Sequence, residues 1–412
     1  MKLVQFGAGN IGRSFIGQIF SRAGWEVIFI DVDRTIIDAL NQRQQYSVVI
    51  KDKIQQTITV KNIRGVSALD IELVSDEVAQ ADLLSTAVGK KALPYIMKPI
   101  ASGLIKRKKS FAGKPLDIII CENMRNAPPF FKRSLQKEIE LQTGPSEVFP
   151  VDEWVGFVET SIGKMVPIMS EREKKKDPLL IYAEAYNTLI VDKQGFKGRI
   201  PEVPELDLKE NMKAYVDRKL YIHNLGHAVL SYISFVFRRH YRYIWEAAYD
   251  RELSNITKNA MWESGKALIA EYSDEFDDRN IGDHINDFLT RFGNRALGDT
   301  IFRAGRDLYR KLGPDDRLIG GVNLCLKHGI APKNIYLGVA SALFFKDVDE
   351  SGKMYENDRT FHEKEVPQGI DHVLKWVCKL ENNEVISLIQ RYYTLIDQGK
   401  MDISNLSYPK FT

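Results

Sequence analysis

Along the first part of the chain, apolar residues come in short runs separated by stretches of helical period. "KLVQF" (Lys2–Phe6) reads as a buried strand that stops at glycines. A helix is expected from about Ile11 to Ala23, then Gly24, then a second strand, "EVIFID" (Glu26–Asp31). "LLSTAV" (Leu83–Val88) and "DIIICEN" (Asp117–Asn123) continue the series. Strands alternating with helices predict a parallel sheet with right-handed crossovers. After Pro150 the texture changes. "EWVGFVETSI" and "LLIYAEAYNTLIV" are strand-like and flank "EREKKKDP" (Glu171–Pro178), which reads as a solvated loop. "GRIPEVPELD" (Gly198–Asp207) carries two prolines and reads as a linker.

Beyond it the pattern turns helical to the end. "NMKAYVDRKLYIHNLGHAVLSYISFVF" (Asn211–Phe237) has no proline and keeps the helical period through a tolerable Gly226. No internal repeat or low-complexity tract interrupts it. The expected fold is therefore α/β: a Rossmann-type dinucleotide-binding domain over residues 1–203, then a mostly α-helical domain over residues 204–412. A ligand is expected between the two.

Composition narrows the picture only modestly. The 412 residues are 44% hydrophobic and 27% charged, with a formal net charge of +3. That balance is ordinary for a globular protein and gives no support to nucleic-acid binding. Cys121, Cys325 and Cys378 are too scattered for a disulfide framework or a cysteine-rich zinc site. The N-terminal apolar run is broken by Asn10 and Arg13 too early for a signal peptide. No apolar stretch is expected to reach the roughly 18 residues of a membrane span. The expectation is a cytoplasmic protein, with no membrane or nucleic-acid partner and no metal.

"GAGNIG" sets Gly7, Gly9 and Gly12 in the order G-x-G-x-x-G, with Ala8, Asn10 and Ile11 between them. Alone the pattern is weak. Here it follows a predicted strand, opens a predicted helix, and has Asp31 at the end of the next strand, about 20 residues on. Gly7 permits the tight turn, Gly9 lets backbone approach a pyrophosphate, and Gly12 lets the helix pack on the sheet. The helix N-terminus offers unpaired N–H groups to phosphates. Asp31 is placed to accept ribose hydroxyls. With Asp33 close by, it disfavours a 2′-phosphate, so NAD is the expected cofactor.

"RKLYIHNLGH" (Arg218–His227) concentrates proton-handling groups in an apolar setting. On a helix advancing about 100° per residue, Lys219, His223, His227 and Asn224 fall within about 140° of one another. A lysine, an amide and an imidazole beside a hydride acceptor suit alcohol oxidation without a metal. An ordinary lysine, with a pKa of about 10.4, is a poor base at neutral pH, so Lys219 must be desolvated or sit near a positive charge.

These segments together, "FGAGNIGRSFIG", "CENM" (Cys121–Met124), "IVDKQGFKG" (Ile190–Gly198), "RKLYIHNLGHA" and "DRLI" (Asp316–Ile319), resemble the polyol-specific long-chain dehydrogenases and reductases. The family's helix motif, Lys-x4-Asn-x2-His, falls on Lys219, Asn224 and His227. The resemblance implies that Lys219 is the general base in oxidation and the acid in reduction, and that Asn123 and Asn224 form an oxyanion-stabilising pair. It also implies that His227 binds the reacting oxygen or a neighbouring hydroxyl, and that Glu184 and Arg317 line the polyol site. His223 lies outside the motif and reads as a packed histidine. The implied reaction converts mannitol 1-phosphate and fructose 6-phosphate into one another. The alternative is an unphosphorylated polyol or a keto-hexuronate.

One departure bears on the phosphate. "DRLIGG" has Gly320 and Gly321 where sugar-phosphate enzymes of the family often carry Lys-Pro, which leaves Lys193, Lys197 and Arg199 as cationic candidates. From another class, a sensor that binds NAD without turnover has no need of the Lys219, Asn224 and His227 set. The resemblance implies a monomer or a weak homodimer.

Overall fold

The structure is a computed structural model that describes residues 1–404 apart from 53, 111–113, 125, 145–148, 168 and 170. Its strands are β1 (Lys2–Phe6), β2 (Glu26–Asp31), β3 (Gln45–Ile50), β4 (Gln56–Lys61), β5 (Ile63–Ser67) and β6 (Leu83–Thr86). They continue with β7 (Leu116–Ile120), β8 (Val155–Ser161), β9 (Ile181–Ala183), β10 (Leu189–Asp192) and β11 (Leu206–Lys209). Eight of them form one sheet in the order β11-β10-β8-β7-β6-β1-β2-β5, and β4-β3-β9 form a smaller one. Strands β5 to β8 run parallel through β1 and β2, whereas β10 pairs antiparallel to β8. The predicted parallel sheet is thus reversed at one step.

Both faces of the large sheet are covered, which explains why its strands read as continuous apolar runs. Leu3, Val27 and Phe29 pack with Phe15, Ile16 and Ile19 on one face. Val4, Phe6, Ile28 and Ile30 pack with Val74, Val78 and Ile100 on the other. Because β1 lies between β2 and β6, the chain leaves it on opposite sides for its two neighbours. The crevice at the carboxyl end of β1 is the topological switch point at which open α/β sheets bind ligands.

Two predicted segments differ from expectation. The supposed linker runs into β11, which starts at Leu206, two residues after Pro204, and pairs parallel with β10 at the sheet edge. Proline is tolerated just ahead of an edge strand because no ladder N–H is lost there. The supposed charged loop contains a helix, Glu171–Lys176. It is an unbroken run of Glu, Arg and Lys, all good helix formers, ended by Asp177 and Pro178.

The chain divides into two compact units, Met1–Val216 and Asp217–Thr412. Within the second, among the described residues, every regular element is helical. Its central element is the continuous helix Met212–Phe237, which begins at the end of the first unit. Contrary to the sequence expectation, this helix is long and apolar enough to cross a bilayer, and 72% of its most apolar window is buried inside the protein. Its apolar character is that of a core helix. Helix Arg251–Glu271 approaches it so closely that a Cβ on Gly226 would lie 2.6 Å from the Met261 sulfur.

Candidate active site

The glycine loop has a separate reason for each glycine. Gly7 has φ +95°, and a Cβ there would sit 2.4 Å from the Ala87 carbonyl oxygen. A Cβ on Gly12 would sit 2.0 Å from the carbonyl oxygen of Gly7. The third glycine therefore closes the loop upon the first, beyond the helix–sheet packing expected of it. A Cβ on Gly9 would meet nothing within 4 Å. That open face is what the close approach of a pyrophosphate requires. Asn10 is exposed and Ile11 half-buried at the start of the helix.

Asp31 braces the loop. Its Oδ2 accepts the Ala8 N–H at 2.7 Å and its Oδ1 accepts the Asp33 N–H at 3.0 Å. Each oxygen keeps lone-pair capacity for a ribose hydroxyl. Asp33 caps the helix Arg34–Arg43 by accepting from Thr35 and Ile36. Arg13, which sequence reading passed over, is buried, and its Nε donates to the Ala8 carbonyl at 2.6 Å. The residues present fit a dinucleotide: an open glycine face, a helix N-terminus, and a braced carboxylate at the end of β2.

A second brace lies at the carboxyl ends of β6 and β7. Glu122 accepts the Val88 and Gly89 N–H groups, each at 2.9 Å, and so fixes the loop whose Ala87 carbonyl abuts Gly7. Burial raises the Glu122 carboxyl above its ordinary range, against the opposing pull of those N–H donors. Asn123 follows it, exposed on the same sheet edge. Glu184 also belongs to the first unit, where it is buried and accepts the Met165 N–H.

In the second unit, Lys219 to Asn224 form a π-helical turn inside the long helix. The Leu225 N–H is directed at the carbonyls of Leu220 and Ile222, and the Tyr221 carbonyl accepts the Ser264 hydroxyl. A π-turn takes more residues per revolution than an α-turn, so residue i+5 lies closer to the face of residue i than it would on an α-helix. Asn224 is thus carried toward the face of Lys219, which corrects the even α-helical wheel expected from sequence. Single π-turns occur frequently at functional sites.

Lys219 is half-buried. Burial first, and Arg317 second, lower its pKa to about 8. Arg317 is itself buried; it donates from Nε to Asp316 at 2.8 Å and from Nη1 to the Asn224 carbonyl at 3.4 Å. His227 Nε2 lies 2.8 Å from Asp299 Oδ2, and Arg303 Nε donates to Asp299 Oδ1 at 2.7 Å. Burial holds His227 below the usual imidazole range even with Asp299 beside it. Asp299 was not legible as a site residue, because 72 positions separate it from His227 and it lies in no motif.

His223 is packed, as expected, although its buried Nδ1 has no hydrogen-bond partner among the described residues. Its ring stacks on Phe288 with centroids 3.9 Å apart, and burial pushes its pKa well down. The glycine pair of "DRLIGG" has a packing role. A Cβ on Gly320 would lie 2.9 Å from the Tyr221 ring, and one on Gly321 would lie 2.7 Å from Leu225. Of the phosphate candidates, Lys193 pairs with Glu210 at 2.6 Å and Arg199 pairs with Glu202. Lys197 is exposed.

Known proteins resemble the chain over nearly its whole length. The family described as "Mannitol dehydrogenase Rossmann domain" matches residues 1–205, and "Mannitol dehydrogenase C-terminal domain" matches residues 211–396. A D-sorbitol dehydrogenase solved in substrate-free form superposes with a TM-score of 0.79 at 17% identity, covering 97% of this chain and 93% of that one. The Pseudomonas fluorescens mannitol 2-dehydrogenase, solved with NAD and D-mannitol, gives a TM-score of 0.72 at 16% identity, covering 98% and 93%. At these identities the likeness is one of fold.

Proposed function

Because the chain belongs to the mannitol dehydrogenase family, acting as an oxidoreductase on polyol CH–OH groups, we propose that it interconverts a hexitol and its ketose using NAD, with Lys219 as the proton carrier. The observation that carries this reading is Lys219 itself. Its amine, held near pKa 8 by burial and by Arg317, stands on a π-turn that brings Asn224 toward the same face, one helical turn from His227. The glycine cradle and Asp31 supply the matching cofactor site in the first unit.

In oxidation, neutral Lys219 takes the hydroxyl proton as the carbon gives up its hydride. NAD, when bound, is the hydride acceptor. The side-chain amide of Asn224, on the same turn as Lys219, holds the oxygen while it carries negative charge, a role the resemblance implies for Asn123 as well, and this preorganised polarity lowers the barrier. In reduction, protonated Lys219 returns the proton. At a pKa of about 8, roughly a tenth of the amine is neutral near pH 7, against a few parts in ten thousand for an unperturbed lysine.

The far end of the substrate admits two readings. An unphosphorylated polyol is favoured by the carboxylate partners of Lys193 and Arg199, and by solved relatives named for sorbitol and mannitol. Mannitol 1-phosphate, the substrate of a mannitol-1-phosphate 5-dehydrogenase, is favoured by the sequence resemblance that "FGAGNIGRSFIG" and "RKLYIHNLGHA" carry, whereas "DRLIGG" lacks the Lys-Pro of the sugar-phosphate enzymes. NADH oxidation against fructose, fructose 6-phosphate, fructuronate and tagaturonate separates them. Preference for fructose selects the first reading and preference for fructose 6-phosphate the second. No turnover with any of the four removes the enzyme reading.

A further inference from the structure

His227 has two ring nitrogens, and the resemblance leaves open whether it serves the reacting oxygen or a neighbouring hydroxyl. The surroundings of Asp299 decide between these. We propose that Asp299 sets the tautomer of His227, keeping the proton on Nε2 so that Nδ1 meets the substrate as a hydrogen-bond acceptor. The proposal rests on the dehydrogenase reading above and assigns Asp299 a positioning role.

Three observations carry it. First, an ionised carboxylate only accepts hydrogen bonds, so the 2.8 Å contact of Asp299 Oδ2 with Nε2 places the hydrogen on Nε2. Second, the carboxylate is fixed in orientation. Its other oxygen takes Arg303 Nε at 2.7 Å, and the Asp299 main-chain carbonyl accepts the Ile244 N–H at 2.9 Å. The next residue, Thr300, caps the helix Ile301–Gly305. Third, the imidazole ring is clamped: Phe292 stacks on it with centroids 5.3 Å apart and planes 26° apart. Burial alone would raise the Asp299 carboxyl, but His227 and Arg303 hold it below the usual carboxylate range. Burial, Arg303 and Lys311 act against a second proton on His227.

The consequence concerns substrate choice. An acceptor nitrogen has nothing to offer a carbonyl oxygen or an alkoxide, since neither carries a hydrogen. It pairs with the O–H of a hydroxyl that keeps its proton through the reaction. His227 therefore reads a hydroxyl next to the reacting carbon, and charge on the reacting oxygen is left to the amides and Lys219. The substrate class is a hydroxyketone and its polyol; a ketone without the adjacent hydroxyl is a poor substrate.

The test has two arms. In protein carrying 15N-histidine, long-range 1H–15N correlation reads the tautomer of His227, with the resonance assigned by its loss in His227→Gln. The expected result is a protonated Nε2 and a pyridine-type Nδ1; a proton on Nδ1 overturns the proposal. The second arm is Asp299→Asn, whose amide donates to Nε2 and moves the proton to Nδ1. It is expected to lower kcat by ~10–100-fold, as loss of a group that orients a functional imidazole does, with KM for NADH unchanged. Asp299→Glu is expected to recover part of the loss. An Asp299→Asn protein with unchanged tautomer and unchanged kcat overturns the proposal. Should that variant misfold, the wild-type spectrum decides alone. Absence of NADH turnover in the wild type removes the dehydrogenase reading instead, and the spectrum still reports the tautomer.

Discussion

Lys219 was found from its neighbours in sequence, but what makes it a base is not in those neighbours. Burial and the Arg317 guanidinium, nearly a hundred residues away in the chain, together bring its pKa to about 8. The neutral amine is the competent form in oxidation, so oxidative kcat/KM is expected to rise as pH increases through about 8 and then level. Reduction needs the ammonium and is expected to decline over the same interval. Lys219→Ala is expected to lose about 10²–10⁴-fold in turnover, the usual contribution of a positioned acid–base group, and to lose that pH limb while still binding NADH by fluorescence titration. Turnover within a few-fold of wild type removes the proposed base. Glycine spacing and the Lys-x4-Asn-x2-His pattern made Gly7, Gly9, Gly12, Asp31, Lys219, Asn224 and His227 legible. The roles of Arg13, Glu122 and Asp299 were not, although "FGAGNIGRSFIG" and "CENM" contain the first two, because each acts on backbone or on a side chain through contacts that no local pattern encodes.

Among the helices of the second unit, the joint between Arg251–Glu271 and Lys333–Ala342 is polar and buried. Glu263 accepts the N–H groups of Asn334 and Ile335, at 2.9 and 3.1 Å, and the Asn334 side-chain amide at 2.7 Å. Burial pushes its pKa up from 4.5 to about 7, against the opposing pull of these donors. The sign is opposite to that of an ordinary ion-paired carboxylate. Between pH 4.5 and about 7 the folded state binds more protons than the unfolded one, so stability falls as pH rises through that window. Glu263→Gln removes this titration. The stability of the wild type relative to the variant is therefore expected to fall by up to about 3 kcal/mol from pH 5 to pH 8. Urea midpoints at the two pH values check this; an equal difference at both refutes it. The periodicity over Asn211–Phe237 forecast the helix but not its π-turn. Period is an average over many residues, and the local i→i+5 shift is selected by partners such as the Ser264 hydroxyl on the Tyr221 carbonyl.

For the molecule as a whole, cofactor binding should register as stability. A ligand that binds only the folded state adds RT ln(1 + [L]/Kd), about 2.7 kcal/mol at a hundredfold excess over Kd. NADH is expected to raise the Tm of the wild type. In Gly9→Ala the new methyl meets nothing within 4 Å of the protein, so the variant is expected to keep the wild-type Tm without cofactor. It is expected to lose most of the rise with NADH, because the methyl occupies the face a pyrophosphate approaches. A full NADH-induced rise in Gly9→Ala would mean that this open face is not the cofactor's. Differential scanning fluorimetry reads both.

The sequence by itself determined the α/β order of the first unit, the helical character of the second, and the residue types set aside for chemistry. These rest on short-range physics: apolar period, glycine at a positive φ, and helix-forming runs. Only the tertiary structure decided the antiparallel step at β10, the edge strand β11, the π-turn under Lys219 and the carboxylates that brace the loop and the imidazole. These depend on groups separated in the chain coming together, and the π-turn lies where little water reaches. There a hydrogen bond or a charge weighs far more than it does in solution, and no stretch of residues carries that information alone.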